Sequence, residues 1–304
     1  MVASISTYGL YSILALDSSE AQNALTTATE QEATGLVSET YSGLGGVATS
    51  QLLNLQSSVT EADNYSSNAS TAGTRTQAMY TAVGSMISAL TSLKTTISAA
   101  LSATDNSTLS TSAEAILTDL AGDMNTQVGS DYVFSGAKTG TAAVDLTNYP
   151  SSVPVSSTTT DTSYYQGDDT VASTMVSGNQ SIAYGVTADN SSFEQALRAA
   201  AMATESVSGG STDTTTLQAA FALASTALDG LSNVQEEISD TSSRLTAVQT
   251  SQSTFITQMN SMISNIENVD TAAASANVSA YQTQLEASYS ALAIVLKVSL
   301  TNYL

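Results

Sequence analysis

Two pairs of adjacent carboxylates, Asp168-Asp169 and Glu236-Glu237, are the residues of this 304-residue sequence whose type and spacing come nearest to catalysis. Two carboxyls facing across a cleft can serve as acid and base on a glycosidic bond. Alternating oxygen ligands that end in a bidentate Glu can hold calcium. Neither pattern is met, because Asp168-Asp169 falls in a Gly/Thr loop and Glu236-Glu237 on a predicted helix, so both pairs read as solvated surface. Gly43-Leu44-Gly45-Gly46 has the glycines of a phosphate loop without its Gly-Lys-Ser/Thr ending, and no strand precedes it; a hinge between two helices is the better reading. Ser and Thr are abundant, but a nucleophilic hydroxyl needs a base. The only lysines are Lys94, Lys138 and Lys297, and none stands in a Ser-x-x-Lys with matching partners. Met79, Met86, Met259 and Met262 fall on apolar stripes and read as seam filling rather than ligands.

Composition removes most of the remaining chemistry. There is no Cys and no His, so the usual zinc sites, thiol nucleophiles and every His-based acid/base scheme are excluded, and neither metal nor cofactor is expected. Six Lys+Arg against 27 Asp+Glu give a formal net charge of −21. Such a chain cannot neutralise a run of phosphates, and an anionic membrane surface repels it, so nucleic acid and membrane insertion are not expected as partners. The longest apolar run, Ala291 to Leu296, is far short of the roughly 20 residues of a membrane span. The first basic residue is Arg75, so the start lacks the basic region of a cleaved secretory signal. Aromatics are 6% and charged residues 11%, and much of the 42% apolar content is Ala, a composition suited to long thin seams rather than a thick core.

The elements that carry these residues are mainly helical. Both prolines, Pro150 and Pro154, lie mid-chain, leaving each half free of helix breakers. Apolar or small residues recur at alternating steps of three and four from Leu52 through Val59, Ala69, Thr76, Tyr80, Val83, Ile87, Leu90, Lys94 and Ile97 to Leu101, a heptad seam. Fifty such residues would make a helix of roughly 75 Å. Thr104-Asp105-Asn106-Ser107 supplies turn and cap chemistry before a shorter helix over about 108–129. A small β-rich module is predicted from Gly129 to Gly185, with Tyr132-Val133-Phe134 as a short strand and alternating stretches near Thr170–Val176 and Ile182–Val186. Asp189-Asn190-Ser191-Ser192 then caps a helix that Gly209-Gly210-Ser211-Thr212-Asp213 ends. A second heptad run goes from Leu217 through Leu231, Ile238, Leu245 and Ile256 to Ile266. A further column, Val234, Val248, Phe255, Met262 and Val269, predicts more than one partner helix. The C-terminal stretch is amphipathic, and the N-terminal one, with Ile5, Leu10, Ile13 and Leu14, repeats its pattern more loosely.

Several stretches resemble the family of bacterial flagellins and hook-associated proteins. At the C-terminus these are Asn268-Val269-Asp270-Thr271-Ala272, Tyr281 to Tyr289, and Ser299-Leu300-Thr301-Asn302-Tyr303-Leu304; mid-chain, Asp131 to Thr139 and Tyr165-Gln166-Gly167-Asp168. The final six residues look most like the hook–filament junction members. Thr34-Gly35-Leu36 sits where flagellins carry a Ser-Gly-Leu-Arg-Ile-Asn stretch, but Val37-Ser38-Glu39 follows and the basic residue is missing. The resemblance implies a mainly α, flagellin-like fold: a long antiparallel coiled-coil or helix-bundle rod from both chain ends with a small β-rich central module. It implies a structural, non-enzymatic subunit joining hook to filament, exported by the flagellar type III route without a cleaved signal. Its partners would be copies of itself, neighbouring hook and filament proteins, and an export chaperone.

On this reading residues 1–45 form an N-terminal assembly helix, 46–128 and 189–270 the two halves of the rod, 129–188 the outer module, and 271–304 the C-terminal assembly helix. Leu10, Ile13, Leu14, Tyr289, Leu292, Leu296, Leu300 and Leu304 are the candidate subunit-packing residues. A minor or variant filament flagellin remains open as the alternative. A cytoplasmic signalling coiled coil is the distant one, disfavoured by the Pro-containing insert. The His-Glu-x-x-His protease insertion of some flagellin relatives is excluded by the absence of His.

Overall fold

A computed structural model of the chain describes residues 7–103, 106–208 and 211–301. They form seven helices and three two-stranded antiparallel sheets: α1 (Thr7–Thr34), α2 (Tyr41–Leu44), α3 (Gly46–Ser102), α4 (Leu109–Met124), β1 (Gln127–Val128), β2 (Asp131–Tyr132), β3 (Ser173–Ser177), β4 (Gln180–Ala183), α5 (Ser191–Glu205), β5 (Val207–Ser208), β6 (Ser211–Thr212), α6 (Thr214–Glu267) and α7 (Thr271–Thr301). The fold is mainly α with a minor β part. The chain divides into two units, residues 1–61 with 255–304, and residues 62–254.

Ser and Thr are ordinarily poor residues for a helix interior, since their hydroxyls compete for backbone partners. Here the competition is settled within the helix. Thr60, Thr81, Thr95, Thr226 and Thr250, among others, donate to the carbonyl four residues back. Helix starts are capped from the sequence side: Asn190 Oδ1 accepts from Ser192 N–H at 2.9 Å, Asp213 Oδ1 from Thr215 N–H at 2.9 Å, and Asp270 Oδ1 from Ala272 N–H at 2.9 Å. The predicted cap of α4 differs. Thr104 and Asp105 lie outside the described residues, Thr108 takes the cap position without a side-chain bond, and Asn106 instead donates to Ala100 O and Thr212 Oγ1. Of the predicted breaker before α6, Gly209 and Gly210 lie outside the described residues, while Ser211-Thr212 pair with Val207-Ser208 as the hairpin β5–β6.

In the unit of residues 62–254, α3, α4, α5 and α6 share one core, built on Met86, Leu90, Leu93 and Ile97 from α3, Leu120 and Met124 from α4, Phe193 and Leu197 from α5, and Leu217, Leu231 and Ile238 from α6. One column of the predicted α3 seam, Leu52, Ala62, Ala69, Thr76, Val83, Leu90 and Ile97, is buried as expected, while the other runs one position away from the predicted Tyr80, Ile87, Lys94 and Leu101. Met79, Met86, Leu93 and Ala100 are buried, whereas Tyr80 is exposed and Lys94 lies over the Phe221 ring at 5.1 Å. A step pattern of three and four threads equally well through either set, and the helices packed on α3 select between them. A smaller cluster joins Ala69, Ala72 and Leu245 to Val176 and Ile182 of the β3–β4 hairpin. Between β2 and β3 most of the chain is irregular, held by side chains and by scattered backbone bonds such as those of the Val144–Tyr165 bridge.

In the unit of residues 1–61 and 255–304, α1 and α7 run antiparallel as a close pair. Gly35, at φ +71°, ends α1 with its N–H on Gln31 O. The next residues pair with the α6–α7 corner: Val37 N–H donates to Glu267 O at 2.7 Å, and Val269 N–H to Gly35 O at 2.9 Å. The two breaks in the helical path are thereby clasped side by side. Gly45, at φ +82°, separates α2 from α3, so the Gly43–Gly46 stretch acts as the predicted hinge.

Candidate assembly surface

The carboxylate pairs are not brought into any catalytic arrangement. Glu236 and Glu237 are exposed on α6. Asp168 is a structural acceptor: its Oδ1 takes Ala137 N–H and Thr170 N–H, each at 2.9 Å, and these bonds hold its carboxyl below the usual carboxylate range. Among the described residues no three or more acidic side chains cluster in a way that would hold a metal ion.

The two mid-chain motifs, Ser135-Gly136-Ala137-Lys138 and Tyr165-Gln166-Gly167-Asp168, form one lock. Lys138 Nζ donates to Gly167 O at 3.0 Å, Asp168 N–H to Ser135 O at 3.2 Å, and Tyr165 OH to Asp168 O at 2.6 Å. A Cβ on Gly136 would strike the Asp168 backbone, and one on Gly167 would strike the Tyr165 phenol, so both positions need Gly for close approach. Phe134 anchors the lock to α5 by an edge-to-face contact with Phe193, centroids 5.6 Å apart.

Beside it lies a buried polar network the sequence reading missed. Glu194 and Arg198, one turn apart on α5, are 1% and 5% exposed and paired in bidentate fashion at 2.8 and 3.2 Å. Glu194 Oε1 also accepts Asp161 N–H, and Arg198 Nη1 donates to Ser156 O, so the pair fastens the Pro-containing loop to α5. Burial, with the Glu194 charge second, pushes the Tyr149 and Tyr164 phenols up. The i, i+4 spacing of Glu194 and Arg198 was visible in the sequence; their burial was not.

The terminal pair has the opposite character. Its buried seam is made of small residues, Ser18, Ala21 and Ala28 on α1 and Ala274 on α7. Many of the large apolar side chains point outward: Leu10 is 39% exposed, Ile13 50%, Leu16 66%, Tyr289 47%, Ile294 63% and Leu296 50%. Of the candidate packing residues, Leu10, Ile13, Tyr289 and Leu296 are thus exposed, and Leu14 and Leu292 half-buried. Leu300 belongs to α7, but its side chain, like Leu304 altogether, lies outside the described residues. A helix apolar on more than one face is built to be covered from more than one side, and apolar exposure on this scale marks an interaction surface. No helix among the described residues is long and apolar enough to cross a membrane.

At least four of the six cations are engaged internally. Arg75 pairs with Asp131, Lys94 sits on Phe221, Lys138 closes the lock and Arg198 holds Glu194. Asp123, half-buried beside Asp119, is raised to about 6, by burial first and the neighbouring charge second.

Residues 221–304, which include α7 and most of α6, match the family profile of the bacterial flagellin C-terminal helical region. No curated protein matches the chain in sequence. Its fold is similar to that of a Vibrio parahaemolyticus protein described as a flagellar hook-associated protein, with TM-score 0.54 and 16% identity over 72% of this chain and 97% of that one. It is also similar to that of Bacillus cereus FlgL, with TM-score 0.53 and 14% identity over 68% of this chain and 96% of that one.

Proposed function

We propose that this chain, which carries a flagellin C-terminal helical region, is a structural subunit of the bacterial flagellum that joins hook to filament through packing of its terminal helices. The observation that carries the reading is the inverted α1–α7 pair, with Ser and Ala inside and Leu, Ile and Tyr outside. Two helices with so thin a seam bury little area against their ordering entropy, and covering their outer faces with neighbouring subunits supplies the rest. Leu10, Ile13, Leu14, Tyr289, Leu292, Leu296, Leu300 and Leu304 are the residues assigned to that packing.

The partners are copies of the chain and the adjoining hook and filament proteins. Export proceeds by the flagellar type III route, with a chaperone covering the terminal apolar faces beforehand. Residues 1–45 and 271–304 act as assembly helices, 46–128 and 189–270 as the scaffold, and 129–188 as the outward module. The subunit is read as non-enzymatic, in keeping with the structural character of the flagellin family.

The same helical scaffold serves a filament flagellin, and the family match over residues 221–304 favours that as the second reading. Deleting the gene separates the two. Loss of a junction subunit leaves bare hooks on electron micrographs and flagellin monomers in the growth medium. Hooks that still carry full filaments overturn the junction assignment.

A further inference from the structure

Among the described residues the main core of the 62–254 unit draws on α3 from Met79 onward and on α6 as far as Ile238. Beyond those points the buried side chains of the two helices are mostly small: Ala62, Ala69, Ala72 and Thr76 on α3, with Leu245 on α6. Alanine presents nearly the same surface at every heptad step. Such a seam therefore distinguishes poorly between one alignment of α6 on α3 and another.

Glutamines of α6 supply what the alanines lack. The apolar column Leu217, Ala224, Leu231, Ile238 and Leu245 is buried, but its next heptad member is Gln252. Gln252 Nε2 donates to Val176 O of β3 at 3.1 Å. Val176 is 2% exposed, and the β3–β4 ladder skips it, passing from Met175 opposite Ser181 to Ser177 opposite Gln180. With Ile182 it packs in one cluster with Ala69 and Ala72 of α3 and Leu245 of α6. Gln235 makes a second contact, its Nε2 donating to Tyr80 O of α3 at 3.4 Å. The same atom lies 3.1 Å from where a Cβ on Gly84 would stand, so the glycine leaves the notch that admits the amide.

We infer that Gln235 and Gln252 are positioning residues that select one alignment of α6 on α3 and the β3–β4 hairpin. A displacement of one heptad brings Leu245 or Met259 to Val176 O in place of Gln252. Neither side chain can donate, so the carbonyl of a buried residue loses its partner. The same step moves one helix past the other by roughly 10 Å, and the side chains exposed on the two helices then no longer form one surface. The inference concerns the 62–254 unit alone and stands or falls independently of the hook–filament reading.

The chain has no Cys, so two introduced thiols place spin labels at defined points. Ser67→Cys on α3 and Ser243→Cys on α6 replace exposed residues, and the full-length chain is used. Double electron–electron resonance should give one narrow distance with both glutamines in place. Adding Gln235→Met and Gln252→Met, which keep side-chain length and remove the donors, should place at least a fifth of the molecules in a second distance population. Its displacement should not exceed the roughly 10 Å of one heptad. The melting temperature should not fall, because a polar seam residue specifies register at a cost in stability. Gly84→Ala, which closes the notch, should give the same second population. A single wild-type distance in the double glutamine variant overturns the assignment. One broad distance with helical circular dichroism lost also overturns it, since the glutamines would then hold the fold together rather than choose its register.

Discussion

The carboxylate of Asp168 accepts the backbone N–H of Ala137 at 2.9 Å, across a sequence separation of 31 residues. The contact closes the lock between two motifs that look unrelated in the linear sequence, and it explains the company each keeps. Gly136 and Gly167 are there because any Cβ would strike the facing chain, and Lys138 is there to cap the carbonyls that the turn leaves open. An acidic residue that first reads as a candidate for chemistry is thereby a fastener.

Gly136→Ala should therefore destabilise the unit of residues 62–254 by at least about 1–2 kcal/mol, the cost of an L side chain in the left-handed region, before any clash with Asp168 is added. Thermal unfolding followed by circular dichroism measures this. Asp168→Ala should act in the same direction and show a pH signature. A carboxyl held below its ordinary range contributes stability above that range and loses it as pH falls through the lowered folded value. The gap between variant and wild type should narrow on acidification, and a gap constant from pH 7 to pH 2 would count against the lock.

The Glu194–Arg198 pair gives a larger effect. Arg198→Met leaves a carboxylate buried with its charge uncompensated, which costs about 3–5 kcal/mol. Glu194→Gln combined with Arg198→Met should recover part of that loss, since no buried charge remains. A single variant within about 0.5 kcal/mol of wild type in urea unfolding would show that the pair does not fasten the loop.

Asp123 runs the other way. Its carboxyl is raised to about 6 in the folded chain from an ordinary value of 3.8. The folded state therefore holds a proton that the unfolded state has lost between those values, and stability falls as pH rises through that window. Asp123→Asn should stabilise the protein at pH 7 by on the order of 1 kcal/mol, the full shift being discounted because the group is only half-buried and partly screened by solvent. The advantage should vanish near pH 3, where the wild-type carboxyl is protonated in both states. Equal melting temperatures at pH 7 would contradict this.

The terminal helices separate folding from assembly. Ile13→Ser and Leu296→Ser remove exposed side chains and should change monomer stability by no more than about 0.5 kcal/mol. Leu197→Ala in the core should cost about 2–5 kcal/mol. Assembly should respond in the reverse order, being lost in the two terminal variants and retained in the core variant below its melting temperature. Filaments that tolerate Leu296→Ser would remove that residue from the interface.

The parts of the fold legible in the sequence were those decided locally. Asn190 caps α5 because a short polar side chain before an apolar periodic run has few other uses, and the hairpin strands β3 and β4 follow from alternation between turn residues. What escaped depended on partners remote in the chain. Met79 and Tyr80 satisfy the same heptad arithmetic, and only the elements packed on α3 decide which is buried. Met262 fell on a stripe and was expected to fill a seam, yet it is half-exposed, because none of the described elements covers it. The terminal residues were legible as apolar but not in their direction. That Ala21 and Ala274 face inward while Leu16 and Ile294 face outward reverses the usual rule, and it follows from close helix approach through small side chains.

The most direct measurement of the assembly role is to locate the chain on intact flagella by immunogold electron microscopy with an antibody to residues 129–188. A single labelled band at the hook–filament boundary is the expected result. Label distributed along the whole filament would identify a filament flagellin instead, and protein recovered only from the cell interior, with unlabelled flagella, would contradict a structural role in the organelle.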